Sequence, residues 1–305
     1  MNPSLDFAFE GFRIIRQKPY AILAWGLILL LGNIAGIYVI ASVAGPALHA
    51  LEQVQAAGPP SEATAEAMLG LFPPILSAYA IAVPLMLIVD SVIACAIYRA
   101  ALGRESGFAW LALGPAELRQ IAVSLMFVLL MIGAMLVGVI GVSLLATPLI
   151  ALGLPAPAIG FLTAVVVMGA VAALALRLSF FGIQTFDDER INLFGSWSLT
   201  RERFWWLATG YVVTGIMVML VDLLCLTIFW VFAAAFSHGD LKVLDPVFNG
   251  GVSMDMFRNP VMIAYMVVAN GLVAPLTIAL STGAPAAAYL ALKGRRTTAT
   301  PQDVF

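Results

Sequence analysis

Three ionisable side chains stand inside long apolar runs: Asp90, Arg177 and Asp222. A charge at the middle of a membrane helix costs roughly 2.5–3.5 kcal/mol on insertion scales, so it calls for a partner, a hydrated path or a function. Counting back eight residues from Tyr98, Thr185 and Tyr289, the corresponding ends of three spans, reaches Asp90, Arg177 and Ser281. Opposite charges at one depth predict an Asp90–Arg177 pair in the bundle interior. Such a pair would either pin two helices together or line a path for a headgroup or ion. Asp222 has no partner legible in sequence; its readings are a proton relay or a hydrogen bond to Asn33, Asn270 or a hydroxyl. Asn33 and Asn270 themselves read as interhelical hydrogen-bonding residues.

Other chemistry is not evident. The sequence holds no Gly-x-x-x-x-Gly-Lys-Ser/Thr loop, His-Glu-x-x-His helix or Gly-x-Ser-x-Gly elbow. His49 and His238 stand apart at the ends of apolar runs, and Cys95 and Cys225 lie within such runs, so neither pair has metal-ligand spacing. Neither an enzyme activity nor a metal or organic cofactor is expected.

The elements that carry these residues follow from composition. Of 305 residues, 62% are hydrophobic and 10% charged, against about 25% charged in ordinary soluble domains. Six stretches reach the roughly 20 apolar residues that a helix needs to cross a bilayer: about 20–44, 69–98, 119–146, 157–183, 205–236 and 260–291. Pro84 and Pro285 are expected to kink the second and sixth spans unless neighbours satisfy the freed carbonyls. Pro148 and Pro155 are expected to bracket a turn between the third and fourth. Gly141, Gly153, Gly160 and Gly169, with the alanine-rich fourth and sixth spans, predict close helix contacts. The first span follows Arg13, Arg16 and Lys18 and is too long for a leader's apolar region, so it reads as a permanent anchor.

Twelve of the fifteen basic residues fall on one side of such an arrangement: Arg13, Arg16, Lys18, Arg99, Arg104, Arg119, Arg190, Arg201, Arg203, Lys293, Arg295 and Arg296. The opposite loops hold Lys242 and Arg258, and residues 45–67 carry Glu52, Glu62 and Glu66 with no basic residue. The positive-inside rule then puts both termini in the cytoplasm. Arginine exceeds lysine by twelve to three, which points to a bacterial source and hence to the inner membrane. The net charge of −2 gives no footprint for nucleic acid. Short helices are expected in the outer loops over Ala47–Ala56 and Met254–Arg258.

A repeat of about 90–100 residues overlies this pattern. With Phe12 set against Trp197, Phe9 meets Phe194, Ile14 meets Leu199, Arg16 meets Arg201, Lys18 meets Arg203 and Tyr20 meets Trp205. A looser copy runs from Phe108 through Trp110 to Arg119. Each segment reads as an amphipathic helix in the headgroup region, its basic residues on phosphates and its aromatics at the boundary. Phe12, Arg16, Lys18, Trp110, Arg119, Trp197, Arg201, Arg203, Trp205 and Trp206 are therefore the expected lipid contacts. The alternative is a linker folded onto neighbouring helices. The expected fold is all-α: one transmembrane domain over 1–305, made of three hairpin units (about 5–104, 105–188 and 189–296), each led by such a helix, and a flexible tail at 297–305.

The third unit carries a resemblance. Arg177-Leu-Ser-Phe-Phe, the acidic turn Asp187-Asp188-Glu189, and Ser196-Trp197-Ser-Leu199-Thr200-Arg201-Glu202-Arg203-Phe204-Trp205 resemble a bacterial membrane-domain superfamily. That group includes the membrane domain of glycerophosphoryl diester phosphodiesterases and the YciC-like inner-membrane proteins. The group's pattern has Gly where Glu202 stands. The resemblance spans about 30 residues and implies a membrane module without the soluble barrel in which phosphodiesterase members do their chemistry. A non-catalytic, lipid-interacting module in envelope homeostasis or partner assembly is the reading that results. Its expected partners are membrane lipids and other membrane proteins or a second copy. The alternative is a small transporter or channel with a polar path through Asp90, Arg177 and Asp222.

Overall fold

A computed structural model describes residues 5–56, 62–104, 107–151 and 155–294. The expected tail at 297–305, together with Gly153, Arg295 and Arg296, lies outside the described residues. Among the described residues every regular element is helical. A 3₁₀ turn at Asp6–Phe9 leads into α1 (Glu10–Gln17), α2 (Tyr20–Val43), α3 (Gly45–Ala56) and α4 (Glu62–Ala101). A 3₁₀ turn at Phe108–Trp110 precedes α5 (Pro115–Ala151), α6 (Ala156–Arg177), α7 (Phe181–Asp187), α8 (Ser196–Thr200) and α9 (Phe204–Phe236). After α10 (Asp245–Asn249), α11 (Pro260–Val268) and α12 (Ala274–Leu292) are joined by a π-helical segment at Ala269–Val273. Six helical segments are long and apolar enough to cross a membrane: Tyr20–Val43, Glu66–Ala101, Phe108–Leu144, Ala158–Asp187, Phe204–Phe236 and Pro260–Leu292. The chain is a multi-pass membrane protein.

Helix α12 sits at the centre, touching α1, α2, α4, α7 and α9. Gly283, Ala284, Ala286, Ala287 and Ala288 are all buried there. Small side chains let other backbones come close, which is how membrane helices associate where lipid removes the hydrophobic drive. Helix α1 uses this gap. A Cβ added to Gly11 would stand 2.5 Å from the Leu280 Cα, and one added to Gly283 would stand 3.0 Å from the Gly11 amide nitrogen. Just upstream, the Phe7 ring fills the space that a side chain at Gly210 of α9 would need and packs on Trp206 at 4.6 Å between centroids.

Segment 5–18 is therefore inserted into the end of the bundle, with Glu10, Gly11, Arg13 and Ile14 buried. Its outer face, with Phe12 at 39% exposure and Arg16, stays exposed. The segment thus follows the alternative, a stretch folded onto neighbouring helices, over its buried face. The segment at 108–119 is not one helix either. It is a 3₁₀ turn, an extended stretch and the first turn of α5, and Trp110 is 6% exposed rather than lipid-facing. Trp25 explains the tuck: its indole Nε1 donates to the Ala109 carbonyl at 3.0 Å, and its ring lies 6.4 Å from that of Trp110.

Other expectations change at the prolines and glycines. Pro148 lies inside α5 rather than at its end, while Pro155 does border the start of α6. Helix α4 runs unbroken through Pro73, Pro74 and Pro84. The sixth span departs from α geometry at Ala269–Val273, ahead of Pro275, instead of at Pro285. Pro275 has no N–H to return to the Gly271 carbonyl. That carbonyl instead lies against Gly26 of α2, where no Cβ could fit. Gly141, Gly160 and Gly169 face open space, so they are not the close contacts. The outer loops do carry short helices, α3 and a 3₁₀ turn at Met254–Phe257.

Gly11→Val should lower the thermal midpoint in detergent by several degrees or abolish the folded peak, since overpacking costs about 1–3 kcal/mol. Gly160→Val, facing open space, should leave the midpoint within a degree. Equal effects of the two changes in a size-exclusion melting assay would refute the close α1–α12 contact.

Candidate functional site

The structure does not bring Asp90 and Arg177 together. Helix α6 ends at Arg177 and packs on α5, α8 and α9, whereas α4 packs on α2, α5 and α12. Asp90 is exposed on α4, and among the described residues it makes no ion pair. Asp222 is exposed on α9, and Ser281 is exposed on α12, its hydroxyl donating to the Ile278 carbonyl at 3.3 Å. The matched counts from the span ends misled because α6 stops at Arg177 while α4 continues well past Asp90. Asn33 and Asn270, expected as interhelical hydrogen-bonding residues, bond to each other: Asn33 Nδ2 donates to Asn270 Oδ1 at 3.0 Å, and Asn270 Nδ2 donates to the Met266 carbonyl at 3.0 Å. This bond joins α2 to the π-helical segment.

Arg177 belongs to a different constellation. Its backbone carbonyl accepts hydrogen bonds from Ser196 Oγ at 3.1 Å and Thr200 Oγ1 at 3.2 Å, which fasten α8 beneath the end of α6. Its guanidinium carbon stands 5.0 Å from the Phe204 ring centroid and 5.8 Å from that of Trp197. Cation–π contacts of this kind hold a charge without using its N–H donors. The Nη1 atom is buried and has no hydrogen-bond partner among the described residues.

Arg177 lines a cavity of about 490 Å³ with Arg201, Glu202, Arg203, Phe204, Trp205 and Trp206. Arg201, Glu202, Arg203 and Trp205 are exposed, while Phe204 and Trp206 are half-buried. Arg203 is the N-cap of α9, and no side chain caps that helix start. The first amides of α9 thus lack intrahelical acceptors and add partial positive charge. Among the described residues none of the three arginines forms an ion pair. The segment at 196–206 keeps Trp197 and Trp205 on the surface, the latter 80% exposed. Of the other expected lipid contacts, Lys18 is half-buried with its ammonium 4.3 Å from the Trp110 ring centroid, and Arg119 is half-buried.

Sequence reasoning missed the buried polar network at the same end. Arg99 Nη2 pairs with Glu117, Nη1 donates to the Trp110 carbonyl at 3.2 Å, and the guanidinium lies 5.5 Å from the Phe186 ring. Glu10 and Arg13 pair within α1. Asp187, in the acidic turn, accepts from Arg104 at 3.2 Å, Tyr289 at 3.2 Å and Lys293 at 3.1 Å, and Lys293 also reaches Asp188 at 3.1 Å. Burial opposes the Lys293 charge, but hydrogen bonds with Tyr289, Asp188 and Asp187 outweigh it and raise its pKa. A raised folded pKa adds stability at every pH below the unfolded value of about 10.4, and that stability is lost only as pH climbs through the folded value. The clasp is intact at neutral pH. Flanking basic residues near an acidic turn were visible in sequence; which of them pair was not.

No family model, no curated protein and no solved structure matches this chain.

Arg99→Gln or Glu117→Gln alone leaves one buried charge without its partner, a loss of about 3–5 kcal/mol in such settings. The joint Arg99→Met/Glu117→Leu change should recover part of that loss in a denaturant or thermal assay. The Trp110 carbonyl loses its Arg99 donor in the double variant, at about 1–3 kcal/mol, so recovery is incomplete. Single variants as stable as the parent would refute a structural role for the pair.

Proposed function

We propose that the protein is a non-catalytic module of a bacterial inner membrane that engages lipids, with both termini cytoplasmic, in envelope homeostasis or partner assembly. The observation that carries this reading is the rim at the start of α9. Exposed Trp197, Trp205, Arg201 and Arg203 stand together at the basic end of an apolar span. Tryptophan favours the headgroup boundary, and arginine there reaches lipid phosphates. The biased distribution of basic residues supports the orientation, and the sequence resemblance of the third unit supports a membrane-module role.

Three hairpin units are part of the proposal. In support, α2 packs on α4, α5 on α6 and α9 on α12. The transport alternative has weaker support, because Asp90, Arg177 and Asp222 do not converge on a shared path.

Native mass spectrometry of the gently extracted protein should find one anionic lipid class enriched over its share of the membrane. Bulk lipid in membrane proportion would count against the lipid reading. Solute flux in proteoliposomes that depends on Asp90 would favour transport. Reporter fusions after residue 294 should report the cytoplasmic side, and a periplasmic signal would overturn the orientation.

A further inference from the structure

We propose that the cavity under Arg177 is a binding site for a phosphate group, carried by an anionic phospholipid, with the half-buried Arg177 as its anchor. The inference rests on the lipid-engaging reading above and assigns it a site. Three arginines and one glutamate line this cavity. Arginine presents planar pairs of donors that match phosphate oxygens, and such charge-assisted bonds are the stronger kind.

Arg177 supplies the independent sign of a ligand. Its Nη1 is buried with its donors unused, and a buried donor without a partner is costly unless something arrives to accept from it. The rings of Phe204 and Trp197 hold the guanidinium while leaving its N–H edge free. Arg201 and Arg203 are exposed at the rim and close over an anion from the water side. The uncapped amides at the start of α9 lie on the same wall and add their dipole in the favourable sense. Glu202 is the one opposing charge, and being exposed it stays hydrated.

The aromatic lining decides between a lipid and a free phosphate. Phe204 and Trp206 are half-buried and Trp205 is 80% exposed, so apolar surface continues from the cavity onto the outside of α9. Exposed Val212, Ile216, Met219 and Leu220 extend that surface along the same helix. An acyl chain has a path away from the phosphate that an inorganic ion would not use.

The test uses the full-length protein in detergent micelles, titrated with phosphatidylglycerol, phosphatidylcholine and inorganic phosphate and read by native mass spectrometry. Phosphatidylglycerol should bind at least tenfold more tightly than phosphatidylcholine. Arg177→Gln should weaken that binding tenfold or more, and so should Arg201→Gln/Arg203→Gln, whose exposed positions spare the fold. Arg258→Gln, at the far end and 85% exposed in its side chain, should bind as the parent does. Failure of millimolar phosphate to displace the lipid supports the lipid source; displacement by phosphate supports the phosphate site and overturns the lipid as its carrier. Undiminished binding in both the Arg177 variant and the Arg201/Arg203 variant overturns the site. A lipid class that still co-purifies with those variants would leave the broader lipid reading standing while the site falls. Lack of any enriched lipid in the parent, alongside phosphate binding that depends on Arg177, would remove the broader reading and keep the site.

Discussion

Helix α12 presents almost no side chain where α1 crosses it, and the architecture of the basic end depends on that closeness. Gly11 meets the backbone at Ala279 and Leu280, and Gly283 meets the backbone of Glu10 and Gly11. With α1 seated there, Phe7 reaches Gly210 and Trp206, so the turn at Asp6–Phe9 positions the start of α9. The cavity under Arg177 lies at that same start. A larger side chain at Gly11 or Gly283 would push α1 out and with it the wall formed by Phe204 and Trp206. In lipid, where apolar side chains gain little by leaving one apolar surface for another, such close backbone packing is what makes association favourable.

The link between α4 and α5 is held by a second constraint of a different kind. Ala109 and Trp110 take left-handed backbone angles, φ 55° and 57°, although neither is glycine. Such conformations cost about 1–3 kcal/mol each and persist where the surroundings over-determine them. Here the Trp25 indole binds the Ala109 carbonyl and the Arg99 guanidinium binds the Trp110 carbonyl. Arg99 is held in turn by Glu117 and the Phe186 ring, so one buried charge serves the link, α5 and α7 together. Arg177 follows the same logic with one difference: its aromatic contacts are made and its Nη1 donors are left open.

Membrane spans are legible because hydrocarbon imposes a length and a composition that few other structures satisfy. That Asn33 and Asn270 bond between helices could be anticipated for a related reason, since amides in spans need partners; that they bond to each other could not. The expected Asp90–Arg177 pair failed because depth along two helices says nothing about which faces turn toward each other. The interfacial segments were half legible. Their aromatic and basic residues stand out, but whether Trp110 meets lipid or the Trp25 ring depends on a fold in the link that no periodicity reveals. Gly11 and Gly283 look no different in sequence from Gly141 or Gly160, yet only the first two sit where backbones touch.

By itself the sequence determined six apolar spans, a basic end opposed to an acidic one, and the arginines and tryptophans before the fifth span. Those are properties of composition against a fixed solvent slab, and no tertiary contact is needed to state them. Only the tertiary structure decided that α12 is the axis and that the N-terminal helix is buried against it. It also decided that the carbonyl of Arg177 anchors α8 while its guanidinium stacks on Phe204 and Trp197. The reason is physical: side chains distant along the chain become neighbours through helix rotation and backbone proximity, and small residues permit that proximity without specifying it.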